Sequence, residues 1–117
     1  MGSLTDDARG FLAGLVVGEG HFGVTRGTPQ FVLGMSVRDA VLLQHVQDLL
    51  PGSRLGPYHH NGRYFLRLML RGVALRSCLD IFDSLQVDRW CPHVAGRYET
   101  MRTAAPTART RSSRTVS

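Results

Sequence analysis

Residues 12–20, LAGLVVGEG, decide how this chain is read. They complete a run that opens at Thr5, whose hydroxyl can cap a helix, followed by Asp6 and Asp7 where the positive helix end favours acids. Phe11, Leu12, Leu15 and Val16 recur at helical spacing and supply an apolar stripe. Gly10, Gly14 and Gly18 fall four residues apart, so they stack on one side of the helix beside Ala13. Each glycine inside a helix costs about 1 kcal/mol relative to alanine. A close approach of two backbones compensates for such a stripe, so Gly10, Ala13, Gly14 and Gly18 are expected to form a helix-to-helix interface. The helix should stop at residues 18–20, where glycine tolerates a left-handed turn.

Glu19 then stands at the negative end of the helix, where a carboxylate is disfavoured. Pairing with a second copy about a two-fold axis brings two such carboxylates together and adds like-charge repulsion. A hard divalent cation such as Mg²⁺ relieves both effects. From spacing alone, a solvated and unpaired Glu19 is the plainer reading.

Outward from this helix, residues 21–26 and 30–37 alternate in polarity and read as a hairpin joined through Gly27, Thr28 and Pro29. Phe31, Leu33, Met35 and Val37 share one face of its second strand, and Gln30, Val32, Gly34 and Ser36 the other. A helix over 38–50 follows from Val41, Leu42, Val46, Leu49 and Leu50, and Pro51 with Gly52 ends it. A second hairpin, 54–59 with 63–71, turns at Asn61 and Gly62. A third helix over 73–85 buries Leu75, Leu79, Phe82 and Leu85, and a weaker one covers 94–102. The expected class is α+β: an αββαββα unit whose four-stranded antiparallel sheet carries helices on one face and leaves the other free.

The 117 residues suit one domain, over 1–102, and a hydrophobic fraction of 43% suits a globular core. Residues 103–117 are Thr, Ala, Ser and Arg with little to bury, and read as a basic, disordered tail. No apolar run approaches the roughly 20 residues that span a bilayer, and the N-terminal segment lacks a secretion signal. These features predict a soluble, cytoplasmic protein without membrane association. Cys78 and Cys91 are expected as reduced thiols, and Cys91 with His93 falls short of the four ligands of a structural zinc site.

The net charge of +5 is unevenly placed. Residues 20–71 hold six Arg against Asp39 and Asp48, and residues 101–117 hold four Arg and no acid. All fourteen cations are Arg, a side chain whose planar fork suits phosphates and guanine edges, although codon bias explains the preference for Arg over Lys equally well. Along the last strand Arg63, Phe65, Arg67, Met69 and Arg71 alternate with Tyr64, Leu66, Leu68 and Leu70, so one face is arginine-rich and the other aliphatic. Such a ribbon fits a DNA major groove. His21, Thr25, Arg26, Gln30, Arg54 and Tyr58 extend the expected surface, with His59 and His60 as loop or phosphate contacts. A merely solvated strand face is the alternative for any single Arg. Gly18, Gly20 and Gly23 spell GxGxxG, but a dinucleotide site needs strand, loop, helix, and the order here is reversed, so no nucleotide cofactor is expected.

Residues 11–24, FLAGLVVGEGHFGV, resemble the signature helix and first strand of LAGLIDADG homing endonucleases, in the variant ending Gly-Glu-Gly. The element order through about residue 100 agrees with that family's repeating unit. The resemblance implies that the signature helices pair at a dimer interface and that Glu19 binds the catalytic metal. A single motif copy implies a homodimer on a roughly palindromic duplex. Val17 stands where the motif often has Asp, and the chain has no Lys for the basic position near the metal, leaving Arg89 nearest in sequence. Arg cannot act as a base but can stabilise phosphate charge. The expected activity is divalent-metal-dependent, site-specific hydrolysis of double-stranded DNA. The alternatives are a DNA-binding protein of the same fold that does not cut, and a small α+β interaction domain with no affinity for DNA.

Overall fold

A computed structural model describes residues 4–105. Thr5 caps the first helix α1 (Asp6–Glu19), its hydroxyl accepting from the Ala8 amide at 3.1 Å. Leu12 and Val16 enter the core, whereas Phe11 stays 38% exposed at the edge of the stripe. The helix gives way directly to strand β1 (Gly20–Thr25), and here one expectation fails. Gly20 lies at φ −81°, ψ 162°, an extended conformation open to any residue. Glycine is needed there for space, because a Cβ would sit 2.6 Å from Phe31 Cε1 and 2.8 Å from the Val16 carbonyl oxygen.

β1 pairs antiparallel with β2 (Thr28–Ser36) across a two-residue turn formed by Arg26 and Gly27, both at positive φ. That is tighter than the expected Gly27–Thr28–Pro29 connection, and both residues have the left-handed backbone a two-residue hairpin demands. A short 3₁₀ turn (Val37–Asp39) leads into α2 (Ala40–Leu49). Leu43 and Val46 are its fully buried contribution, with Leu50 buried at its C-cap, while Val41, expected in the core, is 67% exposed. Strands β3 (Arg54–His60) and β4 (Arg63–Arg71) turn at Asn61 and Gly62 as expected.

The expected third helix is two: α3 (Gly72–Ser77) and α4 (Leu79–Leu85), broken at Cys78, whose backbone at φ −100°, ψ 2° leaves the helical region. The Cys78 thiol donates to the Pro51 carbonyl at 3.4 Å, tying the break to the end of α2. The last helix α5 (Pro92–Ala104) runs past the expected boundary at 102, and Ala105 is buried. Residues 106–117 of the expected tail lie outside the described residues.

The sheet order is β1-β2-β4-β3, antiparallel throughout. Its inner face places Phe22 opposite Phe31, Phe31 opposite Leu70, and Leu33 opposite Leu68. Phe22, Phe31 and Phe82 pack ring on ring with centroids 5.0–5.3 Å apart, joining the sheet to α4. The edge of α5 is fixed by Asp83, which accepts from the Tyr98 hydroxyl and from Arg102 Nη2 at 2.9 Å and Nε at 3.2 Å. Burial opposes ionisation of Asp83, but the hydrogen bonds from Arg102 and Tyr98 outweigh it and hold the carboxyl below its ordinary range. No helix among the described residues is long and apolar enough to cross a membrane.

Candidate nucleic-acid interface

The pairing register sorts the side chains opposite the buried face of the sheet, of which His21 and Gly23 at the β1 edge share a concavity with α5. One row across the sheet holds His21, Val32, Met69 and Arg54. A second holds Gly23, Gln30 and Arg71, a third Gly34, Arg67 and Gly56, and a fourth Ser36, Phe65 and Tyr58. Arg63 opposite His60 and Thr25 opposite Thr28 close the two ends. The sequence pattern thus brought His21, Thr25, Gln30, Arg54, Tyr58, Arg63, Arg67 and Arg71 to one outward face. Arg26 is set apart, in the β1–β2 turn.

This face is cationic and without internal neutralisation. The ion pairs among the described residues are Arg9 with Asp6 and Arg102 with Asp83, neither on the sheet. Arg54, Arg67 and Arg71 line one open concavity of about 780 Å³ whose lining contains no acidic residue. Aromatic rings support it: the Arg67 guanidinium lies 4.2 Å from the Tyr58 ring centroid, and His60 stacks on Tyr58 at 6.1 Å. His60, expected as a loop or phosphate contact, is the last residue of β3 and belongs to the strand face. The signal was available, since His60 keeps the same alternation as Arg54, Gly56 and Tyr58.

Beside the sheet, Glu19 is the exposed last residue of α1 and makes no ion pair among the described residues. Gly10, Gly14 and Gly18 are also exposed, and a Cβ on any of them would meet nothing within 4 Å. Ala13 is half-buried against the core. The described residues of one copy leave the glycine stripe uncovered.

The described residues contain no group of three or more His, Cys, Asp and Glu placed to hold a metal. One copy thus offers a cation Glu19 and the negative end of a 14-residue helix. That donor set fits Mg²⁺, which commonly takes one or two carboxylates and completes its shell with water and substrate phosphates. Arg89 lies in the turn after α4, its guanidinium 4.6 Å from the exposed Trp90 ring and its Nη1 3.5 Å from Gln86 Oε1. No hydrogen bond or ion pair joins it to Glu19.

No family model and no curated protein matches the chain. Solved structures do. The homing endonuclease I-TnaI superposes with a TM-score of 0.53 at 21% identity, over 72% of this chain and 58% of its own. The LAGLIDADG meganucleases I-CpaMI and I-AabMI, both solved bound to uncleaved DNA, give TM-scores of 0.56 and 0.51 at 19% and 21% identity. They match over 67% and 66% of this chain, which spans 31% and 28% of theirs. The chain has the LAGLIDADG homing-endonuclease fold.

Proposed function

We propose that this chain is a metal-dependent, site-specific DNA endonuclease that acts as a homodimer. The observation that carries the proposal is the joining of two features at the α1–β1 boundary. Glu19, an acid without an ion-pair partner among the described residues, ends the helix, and the next residue begins a sheet whose outward face is lined with arginines that likewise have none there.

The sheet face supplies affinity and register, since arginines neutralise phosphates and offer forked donors to guanine edges in the major groove. The uncovered glycines of α1 support pairing of two copies, which brings a second Glu19 near the first. Glu19 of each copy would hold Mg²⁺, which when bound stabilises charge developing at the attacked phosphate. The chain covers well under half of each DNA-bound meganuclease it resembles, which fits an activity that needs more than one copy of the unit.

A second reading is a DNA-binding protein of the same fold that does not cut. It is favoured by the position of Arg89, turned onto Trp90, and by the absence of Lys from the chain. Cleavage and retention of a randomised duplex library, with and without Mg²⁺, separate the two. Wild type should cut only with Mg²⁺, and Glu19→Gln should bind duplex as well as wild type and cut none. Cutting by Glu19→Gln removes Glu19 from the role, and retention without cutting by wild type selects the second reading.

A further inference from the structure

The third row of the sheet differs from its neighbours. Arg67, on the inner strand β4, has Gly34 opposite it on β2 and Gly56 opposite it on β3. The other outward arginines each face at least one larger side chain: Arg54 faces Met69, Arg63 faces His60, and Arg71 faces Gln30. Strand-interior glycine gives up packing and β-propensity, and where it is retained it often marks close approach by a ligand or another backbone.

Packing among the described residues does not require these glycines. A Cβ on Gly56 would meet nothing within 4 Å, and one on Gly34 would meet only the Leu66 carbonyl oxygen, at 3.9 Å. Neither has the positive φ that demands glycine. The space on both sides of Arg67 is therefore open.

From that row the guanidinium leans over Tyr58 in the neighbouring one and is held there. It has no acidic partner among the described residues, and it lies 4.2 Å from the centroid of the Tyr58 ring, whose own position is supported by His60 at 6.1 Å and Phe65 at 6.5 Å. Stacking on an aromatic face fixes the plane of an arginine fork and leaves its edge donors available. A forked donor on a strand that enters a major groove matches the O6 and N7 acceptors of guanine.

We propose that Arg67 is the specificity-determining residue of this face, selecting one guanine in each half of a two-fold DNA site, and that Tyr58 is its positioning residue. The proposal rests on the reading of the sheet as a duplex-DNA surface. The flanking glycines admit the base edge, and Arg54, Arg63 and Arg71 contribute charge without naming a base.

The experiment is selection from a randomised duplex library by the full chain, in binding buffer without Mg²⁺, comparing wild type with Arg67→Ala, Arg67→Lys, Tyr58→Phe and Tyr58→Leu. Wild type should show a guanine preference at one position that recurs, mirrored, in the second half-site. Arg67→Ala should reduce that preference by roughly 5- to 150-fold while the preferences elsewhere persist. Arg67→Lys should lose it too while keeping its affinity for bulk duplex, because the charge remains and the fork does not. Tyr58→Phe keeps a ring beneath the guanidinium and should keep the preference, and Tyr58→Leu should weaken it at that same position. An unchanged preference profile in Arg67→Ala and Arg67→Lys, with affinity lowered for all sequences alike, overturns the proposal and makes Arg67 a phosphate contact. Wild type with no salt-dependent binding to any duplex overturns the DNA reading itself.

Discussion

The Phe31 ring occupies the space that a side chain on Gly20 would need. An added Cβ would lie 2.6 Å from Phe31 Cε1 and 2.9 Å from Cζ, and 2.8 Å from the Val16 carbonyl, a backbone atom that cannot rotate away. Phe31 is fully buried and packed against Phe22 and Phe82, so it has no free direction in which to yield. Gly20→Ala should therefore destabilise the fold by about 1–3 kcal/mol, the usual cost of overpacking. Urea unfolding measures this. A loss below half a kilocalorie would show that the α1–β1 junction moves more easily than its packing implies. Because Glu19 is the preceding residue, the same variant should also displace the carboxylate and reduce Mg²⁺-dependent cutting more than it reduces duplex binding.

The strands and their faces were legible in the sequence because alternation and turn chemistry are local. Asn61 and Gly62 fix one hairpin, and the odd-numbered residues of 63–71 share a face whatever the helices do. Four features were not legible because they depend on partners far away in sequence. Gly20 has an ordinary φ, and the space it must leave is taken by Phe31, which arrives from the next strand, as well as by the Val16 carbonyl. Helix 73–85 breaks at Cys78, whose thiol reaches the Pro51 carbonyl. Val41 fits the helical pattern, yet the helix buries Leu43 in its place alongside the expected Val46. The slot around Arg67 required the register of three strands, since neither Gly34 nor Gly56 is near it in sequence.

Asp83 ties α5 to α4 through Tyr98 and Arg102, and this sets an acid dependence of stability. Its carboxyl is held below its ordinary range when folded, against about 3.9 when unfolded. A carboxylate whose folded pKa is depressed adds stability that is complete above the unfolded value and disappears as pH falls through the folded one. Asp83→Asn should therefore cost about 1 kcal/mol at pH 7, limited by solvent screening of a partly exposed pair. The gap between variant and wild type should begin to narrow below about pH 4 and close as pH falls through the folded value. Denaturant unfolding at pH 7 and pH 3 tests it, and a gap of the same size at both values would detach this carboxylate from the acid limb.

Gly14 sits mid-helix with open space where its side chain would be, so alanine there has two opposed effects. Within one copy, Gly14→Ala should strengthen α1 by about 1 kcal/mol, because alanine loses less backbone entropy on becoming helical and clashes with nothing. Between two copies paired along Gly10, Gly14 and Gly18, the added methyl groups hold the backbones apart and weaken the contact. Sedimentation equilibrium should therefore show weaker self-association in Gly14→Ala than in wild type, with a helical signal at low concentration that is unchanged or higher. Cutting should fall in proportion to the loss of dimer and recover as protein concentration is raised, because mass action restores the pairing. A variant that gains stability, associates as wild type does and cuts normally would place the two-fold contact elsewhere on the surface. The paired Glu19 arrangement would then have no structural support.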